Sequence, residues 1–198
     1  MVWRREQARD RFFRKAKEEG YRARSAYKLL ELAERYRLIR PGSAILDLGA
    51  APGGWSQVAA RLAGPGARLV AVDLTQMAPI PGVRILRCDI TDPDCLRQIR
   101  DALGGEADVV LSDVAPSTTG IALADHARSI DLSTAALEIA RQTLRPGGSF
   151  VVKVFRGPDF DGFVAHVRRH FQTARVVVPE ATRKESKEAY VVGLGLRH

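Results

Sequence analysis

The sequence predicts an α/β protein built on an open sheet of seven strands, mostly parallel with one antiparallel edge strand, and with helices on both faces. Three observations carry that expectation. Short apolar runs alternate with stretches whose apolar residues recur at helical spacing, as in successive strand–helix units. One such run, Ala44-Ile45-Leu46, leads into Asp47-Leu48-Gly49-Ala50-Ala51-Pro52-Gly53-Gly54-Trp55-Ser56-Gln57 and then a helical pattern with Val58, Ala59 and Leu62 on one face. A strand, a glycine-rich turn and a helix start in that order form a ligand pocket in open sheets: glycine admits close backbone approach, and the helix start offers unpaired N–H groups. Finally, the last two strands are separated by the polar segment Arg183 to Glu188, short enough to join antiparallel neighbours.

The elements follow in order. A length of 198 residues with 45% hydrophobic residues suits one domain, 1–198, carrying a basic helical extension at about 1–40. The charged stretch from Trp3 to about Lys17 reads as a helix, and Ser25 as the cap of a second one with Ala26, Leu29, Leu30, Ala33 and Tyr36 on its stripe. Pro41-Gly42 end it. Strands are expected at 44–46, 68–73, 83–86, 108–112, 149–154, 174–178 and 189–196. Helices are expected at about 128–144 and 159–169, and residues 117–127 read as a flexible loop.

The net charge of +8 is unevenly placed. Residues 1–40 hold 13 Lys or Arg against 6 Asp or Glu, whereas the remaining 158 hold 18 against 17. A basic segment beside a nearly neutral body fits a polyanion-binding arm, the blander reading being a solvated amphipathic helix. No run of about 18 apolar residues occurs and the N-terminus is charged, so neither a membrane span nor a secretory signal is expected and the location is cytoplasmic. In that compartment Cys88 and Cys95 read as thiols rather than a disulfide.

Several chemistries fit poorly. Ala51 and Pro52 spoil a dinucleotide Gly-x-Gly-x-x-Gly, and no Lys-Ser or Lys-Thr follows Gly54 as a P-loop requires. His166 and His170 share a helix face but lack a third metal ligand, and no Gly-x-Ser-x-Gly elbow is present. Asp73 ends the second strand about 20 positions beyond the glycine turn, where a carboxylate accepts both ribose hydroxyls of an adenosine cofactor; a helix N-cap is the alternative. Asp89 is placed to reach an adenine amino group or simply to start a helix. Lys153 interrupts the apolar run Phe150 to Phe155 and must reach the ligand cleft or find a partner, because burying it alone is costly.

Together, the Asp47 to Gln57 run, Ser112-Asp113-Val114-Ala115-Pro116, the stretch from Gly147 to Phe155 and Ser186-Lys187-Glu188-Ala189-Tyr190 resemble the FtsJ family of ribose 2′-O-methyltransferases, from about Arg22 to the C-terminus. The resemblance implies a Rossmann-like S-adenosylmethionine-dependent methyltransferase fold, with S-adenosylhomocysteine as product. It carries the family's Lys-Asp-Lys-Glu tetrad onto Lys28, Asp113, Lys153 and Glu188, and cofactor contacts onto Gly53, Trp55, Asp73, Asp89 and Asp113. No metal is implied. The implied substrate is a uridine of 23S ribosomal RNA, presented by the 50S subunit to a monomeric enzyme through the basic N-terminal segment. Related enzymes act on transfer RNA or on messenger cap ribose. A non-catalytic ribosome assembly factor and a small-molecule methyltransferase are the other readings.

The residue types suit the chemistry. A ribose 2′-hydroxyl is a weak nucleophile, so the enzyme must align it with an activated methyl group and take its proton. Lys153 is assigned as the general base, with Lys28 lowering its pKa and helping to hold the ribose. Asp113 would orient Lys153, and Glu188 would position the lysines or the hydroxyl. A buried ion-pair cluster that merely ties strand ends together is the competing interpretation.

Overall fold

The computed structural model describes residues 11–183 and 185–197. Most of the helix expected from Trp3 therefore lies outside the described residues; its described part is α1 (Arg11–Glu18). Then come α2 (Ala26–Tyr36), β1 (Ala44–Leu48), α3 (Gly54–Ala63), β2 (Arg68–Asp73), β3 (Val83–Arg87), α4 (Pro93–Leu103) and β4 (Ala107–Ser112). The chain continues through α5 (Ala122–Thr143), β5 (Leu144–Phe155), α6 (Phe160–His170), β6 (Phe171–Val177) and β7 (Glu188–Leu196).

The seven strands form one sheet in the order β3-β2-β1-β4-β5-β7-β6. β3, β2, β1, β4 and β5 pair in parallel, whereas β7 runs antiparallel to both β5 and β6. The antiparallel pairing thus lies at one edge as expected, and the reversed strand itself sits one place in. Leaving β1, the chain builds outward to β2 and β3, then returns to place β4 on the other side. Ligands in open sheets bind at such a reversal, beyond the carboxyl ends of the strands. Here that means the ends of β1 and β4.

Strand side chains alternate between faces, and the two faces bury different helices. Ile45, Val109, Leu111, Val151, Tyr190 and Val192 pack with Ala26, Leu29, Leu32 and Trp55 of α2 and α3. Leu46, Val70, Val110, Phe150, Val152 and Val191 pack with residues of α4, α5 and α6, among them Ile99, Leu137 and Val164. Lys153 shares the parity of Val151, which turns it toward the face that α2 and α3 cover.

Three expectations need correction. Helix α5 begins at Ala122, inside the segment read as a flexible loop. The reason is Asp125: its Oδ1 accepts from Thr119 N (2.8 Å) and Thr119 Oγ1 (2.8 Å), and its Oδ2 from Gly120 N (3.2 Å), which orders the approach to the helix without an apolar stripe. Ser25 stands at the start of α2 but makes no side-chain capping bond, and its backbone is already helical at φ −61° and ψ −17°. The cysteines are not free thiols: Cys88 leaves β3 as Cys95 enters α4, their Cα atoms lie 5.6 Å apart, and they form a disulfide. That separation is within the ordinary range for the bond.

Candidate active site

At the reversal, the turn after β1 is shaped by close packing. Gly49 has φ +69°, and a Cβ there would lie 2.6 Å from the Val114 Cα, so glycine alone lets this turn meet the segment leaving β4. Gly53 occupies the start of α3 at φ +112°, against Ile80 and the Arg22 side chain. The Arg22 guanidinium donates to the carbonyls of Pro52 (3.2 Å), Ala78 (2.8 Å) and Pro79 (2.7 Å). Arg22 therefore ties the turn to the segment after β2.

Beneath the turn lies Asp47, fully buried, whose Oδ2 accepts from Ser56 Oγ at 2.6 Å. Its other oxygen has no hydrogen-bond partner among the described residues. Burial pushes this carboxyl up to about 7 against the bond from Ser56, and the charges of Asp113 and Asp73 push the same way.

A cavity of about 490 Å³ opens above these strand ends, walled by Ala51, Asp73, Asp89, Asp113, Val114 and Lys153 among others. Asp73 accepts from Ala51 N (2.9 Å) through Oδ2 and from Thr75 N (2.7 Å) through Oδ1, binding the end of β2 to the glycine turn. Asp89 accepts from both the amide (2.9 Å) and the hydroxyl (2.7 Å) of Thr91, which holds its carboxyl below the usual range. Asp92, not Asp89, caps α4, accepting from Asp94 N. Of the residues expected at a cofactor, Asp73, Asp89 and Asp113 line this cavity. Gly53 and Trp55 do not: the Trp55 ring is buried, stacks on Tyr190 at 5.7 Å between centroids and donates from Nε1 to Ser25 O at 2.8 Å.

The four tetrad residues come from distant parts of the chain and meet as two ion pairs. Lys153 Nζ is 3.2 Å from Asp113 Oδ1 and donates to the Asp113 carbonyl at 2.7 Å. Lys28 Nζ is 2.6 Å from Glu188 Oε2. Both lysines are buried. Burial pushes the Glu188 carboxyl up, but the Lys28 and Lys153 charges outweigh it and leave it below its ordinary value. That response to both ammonium groups joins the two pairs into one electrostatic unit.

Tyr190, to which sequence reasoning attached no role, completes the unit. Its hydroxyl donates to Asp113 Oδ1 at 2.7 Å, and the Lys28 ammonium lies 5.5 Å from its ring centroid. Burial first, then the Asp113 and Glu188 charges, raise the phenol well above its ordinary value, so it stays a donor. Its place in the quoted Ser-Lys-Glu-Ala-Tyr run, two residues beyond Glu188 on the same strand face, was the available signal.

A second cavity, also about 490 Å³, lies on the Lys28 and Glu188 side and is walled by Arg24, Ser25, Arg183 and Glu185 as well. Ser25 borders both cavities. The arrangement offers two compartments that meet at paired lysines and carboxylates, suited to passing a small group between two bound molecules while moving a proton. No group of three or more His, Cys, Asp or Glu side chains is placed to hold a metal among the described residues.

Comparison with known proteins agrees with this geometry. Residues 21–196 match the model of the FtsJ-like methyltransferases. The chain is 55% identical over 185 residues to a protein of Methanothrix thermoacetophila, covering 93% of this chain and 72% of that one. It is 50% identical over 191 residues to a protein of Syntrophobacter fumaroxidans, covering 96% of each. Both relatives are named ribosomal RNA large subunit methyltransferase E. A solved Plasmodium falciparum structure, described as a ribosomal RNA methyltransferase, superposes with a TM-score of 0.80 at 27% identity, over 89% of this chain and 98% of that one. A match spanning nearly every described element, with relatives at half identity or better, settles the lineage: the chain is a methyltransferase and belongs to the FtsJ-like methyltransferase family.

Proposed function

We propose that this enzyme transfers a methyl group from S-adenosylmethionine to the ribose 2′-hydroxyl of a uridine in 23S ribosomal RNA within the 50S subunit. The observation that carries the reading is the meeting of two cavities at the Lys28–Glu188 and Lys153–Asp113 pairs. The names of the relatives supply the RNA. Acting as a single-domain monomer in the cytoplasm fits the same reading.

The first cavity suits an adenosyl cofactor. Asp73 and Asp89 would hold its nucleoside end, since each carboxylate keeps acceptor capacity beyond the bonds it makes, and the backbone of the glycine turn would face its amino-acid end. When bound, S-adenosylmethionine supplies a methyl group already activated by its sulfonium. Asp113 holds the Lys153 Nζ at the junction of the cavities through its carboxylate and its carbonyl. Lys153 accepts the proton that the 2′-hydroxyl loses and later returns it to water. Lys28, fixed by Glu188, donates to the ribose from the other side and orients it. Tyr190 keeps Asp113 from turning away from Lys153.

The test is transfer of labelled methyl groups to 50S subunits from a strain lacking the modification, with the modified nucleotide mapped afterwards. Replacing Lys153 by Ala should lower turnover at least about 10²-fold, the usual worth of a positioned base, while calorimetry finds cofactor affinity within a few-fold of wild type. Near-normal turnover by this variant would remove Lys153 from the chemistry.

A further inference from the structure

Helix α5 lays a row of buried polar side chains along the end of β5, and the mechanism above does not use them. His126, Ser129 and Ser133 follow one another at helical spacing, so they share one face, and all three are buried. Phe155 N donates to Ser129 Oγ (2.9 Å), and His126 Nδ1 lies 3.0 Å from Phe155 O. His126 Nε2 accepts from Asp159 N at 3.0 Å, so Nδ1 carries the ring proton and donates to Phe155. Ser133 Oγ lies 3.0 Å from Lys153 O and 2.6 Å from Ser129 O, and shares its proton between them.

The pairing of β5 explains why these groups stand there. Backbone groups of a strand face its two neighbours alternately. β4 pairs with β5 only as far as Ser112 opposite Val152. On the other side β7 continues to Glu188 opposite Phe155, and the Lys187 carbonyl accepts from Arg156 N at 2.8 Å. From Lys153 onward the β4 side of β5 therefore has no strand beside it. Lys153 O and both backbone groups of Phe155 point to that side, and α5 meets all three; unpaired in the interior they would be costly. The residue at which β4 leaves the ladder is Asp113, which holds the Lys153 Nζ by its carbonyl (2.7 Å) and its carboxylate (3.2 Å). The same helix also walls the first cavity through Leu132.

We propose that Ser129, Ser133 and His126 are positioning residues for the methyl transfer: they stand in for β4 along the end of β5 and fix where Lys153 presents its Nζ to Asp113 and to the ribose. A lysine side chain is long and flexible, so the place of its ammonium depends on how firmly its own backbone is held. This role rests on Lys153 as the proton acceptor proposed above, and extends the site from the reacting groups to the helix that braces them.

The test is transfer of labelled methyl groups by the full chain to 50S subunits that lack the modification, using a Ser129→Ala, Ser133→Ala double variant. Its kcat should fall roughly 10- to 100-fold, the scale set by a misplacement of about 1 Å, while KM for the subunit and calorimetric cofactor affinity stay within a few-fold of wild type. Thr143→Val removes another buried hydroxyl of α5, one bonded to Ile139 O of its own helix (2.8 Å), and should keep wild-type kcat. In a Lys153→Ala background the two serine changes should lower the residual rate no further, because they act through Lys153. Circular dichroism and melting confirm folding. Should the double variant unfold, Ser133→Ala alone carries the test, with an expected loss of roughly 5-fold, the worth of one hydrogen bond. Wild-type kcat in the folded variant would overturn the proposal, as would an equal loss in Thr143→Val. The same proportional loss with and without Lys153 would also overturn it, by making the serines structural only. Near-normal turnover by Lys153→Ala itself would remove the base assignment, and the positioning role with it.

Discussion

Asp47→Asn should change how the stability of this enzyme depends on pH. The Asp47 carboxyl is fully buried and pushed from its ordinary 3.8 up to about 7. Between those values the folded chain holds a proton that the unfolded chain has lost. Unfolding free energy therefore falls as pH rises from about 4 to about 7 and levels off above that range. At about 1.36 kcal/mol per pKa unit, the whole effect is roughly 4 kcal/mol, of which roughly 3 kcal/mol falls between pH 5 and pH 8. Asparagine cannot ionise, so the variant loses this slope. Its amide beside Ser56 adds an offset, but an offset independent of pH cannot imitate a slope. Urea unfolding of both proteins at intervals from pH 5 to pH 8.5, without cofactor, measures the difference. The gap between them should move by roughly 3 kcal/mol in favour of the variant as pH rises. Parallel curves would refute the argument and mean that Asp47 keeps its charge in the fold.

Three further outcomes follow from the geometry. Tyr190→Phe keeps the stack on Trp55 but removes the donor to Asp113 Oδ1. It should cost about 1–3 kcal/mol in denaturant unfolding and lower kcat with little change in cofactor affinity. Gly49→Ala forces a side chain into φ +69° and against the Val114 backbone; backbone strain alone costs about 1–3 kcal/mol, and calorimetry should find weaker cofactor binding as the turn shifts. Reducing the Cys88–Cys95 bond, which spans a sequence separation of 7, should destabilise the chain by about 2–3 kcal/mol on a loop-entropy estimate. A dithiothreitol-dependent drop in Tm that disappears in the Cys88→Ser, Cys95→Ser double variant would verify it.

Most of the scaffold can be read from residue patterning because the scaffold is made by patterning. Apolar runs bounded by glycine and proline give the strands, and the turn after Asp47 marks the carboxyl end of the first. Lys28, Asp113, Lys153 and Glu188 are a set only through the family resemblance, and the fold joins them as two pairs. What escapes is what depends on three-dimensional neighbours. Nothing local marks Arg22 as a donor to three carbonyls. Nor does anything local mark the Trp55 ring as packing toward Ser25 and Tyr190, which its position on α3 imposes. The start of α5 is set by one buried carboxylate rather than by periodicity. The disulfide depends on how a strand end meets a helix start, which spacing alone does not report.

The reversed strand β7 has a consequence for how this enzyme can vary. Phe155 lies opposite Glu188 and Lys153 opposite Tyr190 in the β5–β7 register. The spacing of Lys153, Glu188 and Tyr190 is thus measured out by a backbone ladder and not by a loop. Side chains on a strand alternate, so adding or removing one residue between Tyr190 and the rest of β7 would swing Glu188 and Tyr190 to the opposite face together. The polar connection just before it carries no such parity. Length changes between homologous chains should therefore accumulate before Glu188 and stop abruptly there, a boundary imposed by pleating and not by the chemistry it serves.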